Sequence, residues 1–310
     1  MKIQSLSIVV PTKNKCVNAC EFCVSRTHTN PYEDRINKTA IVYVDSYSCM
    51  SRDSGEGIRE NIEKSLEYKD FYNRLEFARD NGCNVVVLTG TGEPVQNMKF
   101  IRFFSIVNSK LASPFKSIEV QTTGVMLDDE ILQSLREYGI TTISFSISNV
   151  FDNERNLEII VCPKKLEFNV FEIIEKIKKY NFNLRLSLNL INDYDNYTVD
   201  KVIDRCSELG ADQVTFRKLY KSNLNGNIDR WIEKNATKHF HEHVDKYIIK
   251  NGVFLGVLPF GPSIYNVKDM SICVDSDCMS EQPKDTYKYL ILRENCKAYF
   301  RWETKSSLVF

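Results

Sequence analysis

The sequence predicts an α/β protein: a parallel α/β barrel, or part of one, followed by a small extension of short strands. Three observations carry this. Apolar, β-branched runs alternate with helical patterns six times between residues 5 and 250, as parallel strands joined by crossover helices require. The run Asn84–Thr89 reads as a continuous apolar strand bounded by glycine, not an alternating one, the pattern of a strand buried on both faces of a parallel sheet. From about residue 253 the alternation gives way to short strand-like runs. Six units fall short of the eight that close a full barrel. Residues 1–225 are therefore read as the core, with the last helix and an extension closing the barrel in 226–310.

The elements follow in order. Residues 5–10 form a strand that ends at Pro11 and feeds a cysteine-rich loop. Residues 26–55 read as an excursion, in which Ile41-Val42-Tyr43-Val44 is strand-like while Asn30-Pro31 and 51–57 are loop-like. Residues 56–80 have helical periodicity through Ile58, Ile62, Leu66, Phe71, Leu75 and Ala78, stopped by Asn81-Gly82. Strand 84–89 is followed by helix 97–111, strand 117–123 and helix 128–138, whose first carboxylates suit a helix start. Then come strand 141–148, helix 168–180, strand 184–190, helix 199–209 ended by Gly210, strand 213–219 and a helix within 228–250. The extension offers strands at 254–258, 271–274, 289–293 and 298–302. No internal repeat or low-complexity tract is present.

Composition narrows the function classes. With 43% hydrophobic and 26% charged residues the chain reads as an ordinary soluble globular protein. Lys plus Arg equal Asp plus Glu at 41 each, which gives no support for a broad nucleic-acid or anionic-membrane surface. No run is long enough to span a bilayer. The start lacks a secretory pattern, and ten cysteines without one point to a reducing interior. A cytoplasmic protein is expected.

The cysteines carry the chemistry. Cys16, Cys20 and Cys23 form a CxxxCxxC spacing with Phe22 before the last thiol. Zinc sites usually come as two close pairs, and no second pair follows. Three thiolates in one loop suit an iron–sulfur cluster, which normally takes four protein ligands. Three leave one iron open, a position for a substrate or cofactor.

This loop resembles the signature of the radical S-adenosylmethionine (radical SAM) superfamily. The resemblance covers residues 5 to about 220, is looser beyond, and comes nearest to the molybdopterin-precursor type. It implies a partial (β/α)₆ TIM-type barrel in which Cys16, Cys20 and Cys23 hold a 4Fe–4S cluster and S-adenosylmethionine (SAM) completes the fourth iron. The reduced cluster then cleaves SAM to methionine and a 5′-deoxyadenosyl radical, which abstracts hydrogen from the substrate in oxidoreductase or lyase chemistry. An electron donor such as flavodoxin or ferredoxin is the implied protein partner.

Further residues take roles from the same resemblance, at the carboxy ends of strands where a parallel barrel keeps its functional groups. Thr89-Gly90-Thr91-Gly92-Glu93-Pro94 is similar to the family's GGE motif, with Thr91 where a glycine often sits. Gly90 to Pro94 would hold the methionine end of SAM, and the Glu93 carboxylate its ammonium. Gln121-Thr122-Thr123-Gly124 is similar to the family's Thr-Asn-Gly turn. Ser146 and Asn189 would reach ribose hydroxyls or the methionine carboxylate, although such groups also satisfy local backbone. Arg217, at the end of the sixth strand, suits a carboxylate or phosphate of SAM or substrate, or a surface ion pair. Phe22 is expected to pack in the cluster loop, beside the adenine.

Cys273, Cys278 and Cys296 lie in the extension, where some subfamilies hold auxiliary clusters, but their spacings do not match the usual close pairs. They fall short of a ligand set unless Cys49, Cys83, Cys162 or Cys206 contributes, so one cluster and buried structural thiols are expected. Cys278 is the alternative redox or radical partner. His239 and His243 share a helix face without the Glu of an HExxH motif, and read as solvated surface. The substrate expected is a small molecule or nucleotide. Peptide modification is the alternative, RNA modification stands third because a basic, aromatic-laced appendage is missing, and an iron–sulfur sensor is the non-enzymatic alternative.

Overall fold

The computed structural model describes residues 1–12, 16–27, 66–221, 226–259, 262–274, 286–294, 296–302 and 305–310. The readings at 28–65, with Cys49 and the strand-like run at 41–44, and at Cys278 lie outside these residues.

Six strands lie side by side in chain order, all parallel: β1 Lys2–Val9, β2 Val85–Thr89, β3 Ser117–Thr122, β4 Thr142–Ile147, β5 Asn183–Asn189 and β6 Gln213–Arg217. This is the α/β architecture with a parallel sheet that the alternation predicts. The crossovers are helices α2 Leu66–Asp80, α3 Met98–Ser109, α4 Asp129–Glu137, α5 Asn153–Ile160, α6 Val170–Lys179 and α7 Val199–Glu208. A four-residue turn of helix, α1 Val24–Thr27, closes the cysteine loop. After β6 come α8 Asn227–Asn235 and α9 Phe240–Asn251, two helices where one is expected.

The short strands of the extension attach to both edges of the sheet. β7 Val253–Val257, β8 Ser263–Val267 and β9 Met270–Cys273 form a meander whose last strand pairs parallel with β6. β10 Thr286–Leu292 pairs parallel with β1, and β11 Ala298–Tyr299 pairs antiparallel with β10. Among the described residues no ladder joins β9 to β10.

Period-two alternation gives the sheet two unlike faces. One face presents Ile118, Val120, Ile143, Phe145, Leu184, Leu186 and Val214 to the helices, where they share a core with Phe104, Leu132, Leu135, Ile174, Ile177 and Val202. Burial of this kind contributes roughly 1.5–3 kcal/mol per large side chain. The other, inner face is polar from β3 to β6. There Arg185 pairs with buried Glu119 and donates to Gln213 Oε1 at 2.7 Å, and the Ser144 and Ser187 hydroxyls lie 3.2 Å apart. On the β1–β10 side the inner face carries the buried Ser5 and Ser7 and an apolar cluster of Val9, Ile291 and Tyr299.

Local caps set the helix starts. Asp128, Asp152, Asn169 and Thr198 each accept from a backbone amide in the first turn of their helix, the usual service of short polar side chains at that position. Where one helix within 228–250 is expected, the chain forms two, because Asp195, from the loop after β5, captures the chain between them. Its carboxylate accepts from Thr237 Oγ1 at 2.5 Å and from the amides of Lys238, His239 and Phe240 at 2.8, 3.0 and 2.9 Å. These bonds outweigh partial burial and hold the Asp195 carboxyl at about 2. A depressed carboxyl stabilises the fold above its unfolded value, near 4, and that contribution is lost as pH falls toward 2. Asp195→Ala is therefore expected to cost about 1–2 kcal/mol at neutral pH and little at pH 2, as read from thermal unfolding at both.

Among the described residues no helix is long and apolar enough to cross a membrane.

Candidate active site

The carboxy ends of β1, β2 and β3 bring three loops together. β1 leads to Pro11, whose carbonyl accepts from Asn97 Nδ2 at 2.6 Å, while the Val10 amide donates to Thr89 O at 2.7 Å. The two loops thus leave the sheet side by side. A Cβ on Gly92 would sit 3.4 Å from Cys16 Cα and 3.3 Å from both Thr12 Oγ1 and Gln96 Oε1. Glycine is what lets the turn press against the cysteine loop.

The loop is held by its backbone. Ala19 and Glu21 amides donate to Val161 O and Ile159 O at the end of α5, at 3.2 and 3.1 Å. The Cys23 amide donates to Cys20 O at 3.2 Å, and Arg26 Nη1 donates to Ala19 O at 2.7 Å and Cys20 O at 3.2 Å. Cys23 Sγ lies 2.9 Å from Ser25 Oγ, which in turn donates to Thr91 O at 3.4 Å. The Val17 amide donates to Gln96 Oε1 at 3.2 Å, an oxygen that also accepts from the Glu93 amide at 3.2 Å.

Cys16, Cys20 and Cys23 are partly exposed and free of disulfides. Burial raises the Cys16 thiol above its ordinary range, opposed by the nearby backbone amides of Asn18 and Glu93. Cys20 is raised further, by burial first and then by the charges of Cys23 and Cys16. Among the described residues no three His, Cys, Asp or Glu side chains converge as ligands of a single ion must; ligands of a cubane sit on separate corners and need not.

Glu93 is the centre of the second loop. It is 4% exposed, and its acceptors are met by neutral donors: Thr122 Oγ1 at 2.7 Å, Thr123 Oγ1 at 2.7 Å, the Thr123 amide at 2.9 Å and Asn18 Nδ2 at 3.4 Å. Burial raises its carboxyl above the usual range, and the Thr122 and Thr123 bonds oppose the rise. No cation pairs with it among the described residues. A buried carboxylate costs free energy unless charge compensates it, a charge that a cationic ligand group would supply. Asn18 Oδ1, in the same hydrogen-bonded group, is buried without a partner. Three free thiols in one loop, a buried carboxylate without a cation among the described residues and an orphaned acceptor fit an iron–sulfur cluster with an amino-bearing ligand.

The remaining expected residues divide. Gly90 packs against Val10 O, and Pro94 opens the buried helical turn Pro94–Asn97. Asn189 Nδ2 donates to Ser146 Oγ at 3.1 Å, so those two strand ends meet on the inner face. Thr91 Oγ1 lies 3.5 Å from Glu294 Oε1, tying the turn to the extension. Phe22 packs on Trp231 of α8 with ring centroids 6.2 Å apart. Arg217 is exposed at the end of β6, and no side-chain contact joins it to the others among the described residues. Cys83 and Cys206 are buried, whereas Cys162, Cys273 and Cys296 are partly exposed. His239 and His243 are exposed and line a groove of 420 Å³ with Asp195, Tyr197, Asp200 and Tyr247.

Sequence reasoning missed Asn18, Ser25, Arg26 and Gln96. The spacing Glu93-Pro94-Val95-Gln96 was the available signal for the last, since it matches a reciprocal helix cap.

Gly124 positions Thr123. Its φ is +93°, and a Cβ there would meet Phe145 Cε2 at 2.3 Å. Gly124→Ala is expected to destabilise by at least about 1–3 kcal/mol and to displace the Thr123 donors from Glu93. Denaturant unfolding checks the first effect and SAM affinity the second.

Comparison with known proteins decides the family. The model of the "Radical SAM superfamily" matches residues 10–206 of the 310. The chain belongs to the radical SAM superfamily. It is an enzyme of that superfamily, with an iron–sulfur and SAM fold. Among solved structures, SAM-bound SuiB of Streptococcus suis aligns with TM-score 0.56 and 13% identity over 97% of this chain and 60% of that one. HemN, the coproporphyrinogen III oxidase of Escherichia coli, gives 0.51 and 13% over 83% and 54%. AdoMet-bound anSMEcpe gives 0.51 and 13% over 98% and 75%. At these identities the likeness is one of fold. This radical SAM chain spans 60% of the SuiB length and 54% of the HemN length. No curated protein sequence matches it.

Proposed function

We propose that this radical SAM enzyme binds one 4Fe–4S cluster through Cys16, Cys20 and Cys23 and abstracts hydrogen from a small, polar substrate or nucleotide. The observation that carries the reading is the buried Glu93 carboxylate. It has neutral donors on one side, no cation among the described residues, and the cysteine loop against its turn. That is a receptor for an amino group beside a thiol ligand set. When bound, the cluster and SAM supply one-electron cleavage of a sulfonium bond and a 5′-deoxyadenosyl radical.

The chain's own residues bind and orient. Glu93, fixed by Thr122 and Thr123, would accept from the SAM amino group with charge-assisted strength. Gly90 and Gly92 let backbone approach closely, and Ser146 with Asn189 offers hydroxyl and amide groups from the inner face. Phe22 shields the loop with Trp231, and Arg217 at the mouth takes an anionic group of SAM or substrate. The polar inner face of β3 to β6, which includes the unpartnered Glu119 Oε1, supports a substrate rich in hydrogen-bonding groups, because polar groups that an apolar ligand desolvates lose their water partners.

Peptide modification is the second reading. What favours it is the fold of anSMEcpe crystallised with AdoMet and the Kp18Cys peptide, which aligns with TM-score 0.50 over 80% of this chain and 61% of that one. Anaerobic reconstitution, iron and sulfide counts and chromatographic detection of 5′-deoxyadenosine under dithionite test the first claim. Expected are about four irons per chain and SAM-dependent 5′-deoxyadenosine. A full cluster without SAM cleavage returns the chain to an iron–sulfur sensor.

A further inference from the structure

Asn18 stands between Cys16 and Cys20, in a position the motif leaves open, yet it is only 6% exposed. Its Nδ2 donates to Thr123 Oγ1 at 2.9 Å and to Glu93 Oε1 at 3.4 Å. One side chain therefore ties the cysteine loop to both the Glu93 turn and the end of β3. The amide orientation follows from its neighbours. Thr123 Oγ1 gives its own proton to Glu93 Oε1 at 2.7 Å, so it has only acceptor capacity left for Asn18. A reversed amide would face a carboxylate oxygen and a spent hydroxyl with its own oxygen. Nδ2 must point at them, and Oδ1 must point away.

That leaves Oδ1 a fixed acceptor, buried and without a partner. Buried orphans are rare because the desolvation loss is not returned, and each calls for an explanation. Here the same hydrogen-bonded group holds Glu93, a carboxylate without a cation among the described residues. Two acceptors of one group lack the same kind of counterpart: a donor-rich, positively charged one.

We propose that Asn18 is a positioning residue that locks the cysteine loop to Glu93 and offers Oδ1 as a second acceptor to the amino group of bound SAM. The proposal rests on the reading above that this site takes SAM. It adds a residue inside the cysteine motif as an element of cofactor selectivity.

The test is a cycle between protein and ligand on the cluster-loaded enzyme. Equilibrium dialysis would compare SAM with its desamino analogue for wild type and Asn18→Ala, at matched iron content. Expected is about tenfold weaker SAM binding in the variant, with the analogue's affinity unchanged. The cluster-free protein gives an independent readout: alkylation of Cys16, Cys20 and Cys23 is expected to quicken in the variant as the loop is released. Equal weakening of both ligands, or of neither, would overturn the assignment while leaving the SAM site standing. If Asn18→Ala loses iron, Asn18→Ser is run in the same cycle; loss of iron in both reduces Asn18 to a purely structural role and overturns the amino contact. Wild type with a full cluster that binds neither ligand overturns the parent reading, and this one with it.

Discussion

Replacing Cys16, Cys20 or Cys23 singly by alanine is expected to remove the cluster and with it all SAM cleavage. Each thiol would hold its own iron corner, so none substitutes for another. The loss should exceed the roughly 10–100-fold that changes outside the ligand shell cost a metal site. The loop itself should survive, because it is held by groups other than sulfur. Arg26 bonds to the Ala19 and Cys20 carbonyls, and the Ala19 and Glu21 amides rest on α5. Unfolding temperatures of the cluster-free proteins should therefore stay close to wild type while iron and sulfide counts collapse. Cys162→Ala is the control, since Cys162 lies after α5 and forms no part of the motif. It should retain full iron. A single-cysteine variant of the motif with normal iron content and 5′-deoxyadenosine yield would remove that thiol from the ligand set.

Glu93→Gln carries the second large effect. The shape is preserved but the charge is not, and one acceptor oxygen becomes a donor. The Thr123 amide must be met by an oxygen, so the new NH₂ falls on the Thr122 side. Thr122 Oγ1 already accepts from the Gly124 amide at 3.0 Å; it can accept again, but its own proton then loses its partner. Stability should change little, because the cost of burying a charge disappears along with one good bond. Affinity for SAM should fall about 10–100-fold, the worth of a charge-assisted bond. Equilibrium dialysis of the cluster-loaded variant measures it. An affinity within threefold of wild type would take the amino group away from Glu93.

The fold was legible where apolar period and caps agree. Strand Val85–Thr89 has no polar interruption, and Asp128 caps α4 where the carboxylates suggest. It was illegible where distant residues decide. α5 went unread because Asn153-Glu154-Arg155-Asn156 is polar; Asp152 caps it, and buried Asn156 takes the amides of Ser148 and Asn149 at 2.8 and 3.0 Å. β8 is short and half-buried, so its side chains have no clear alternation. The break between α8 and α9 is made by Asp195 from some forty residues upstream, beyond any local window.

The same division holds in the site. The thiols and the Gly-Glu turn are visible as spacings, because ligand geometry constrains residue type and order. Which donors surround Glu93 depends on how β2 and β3 align, and only the register brings Thr122 and Thr123 across to it. Asn18 is a polar residue at a position the motif does not restrict, so its role emerges only once its amide is seen bridging two loops.

The most direct measurement is electron–nuclear double resonance on the dithionite-reduced, reconstituted protein with SAM carrying ¹⁵N in its amino group. Hyperfine coupling of that nitrogen to the cluster spin is the expected result, since three cysteines leave one iron for it. A reduced cubane that shows no coupling at saturating SAM would contradict an open iron beside Glu93.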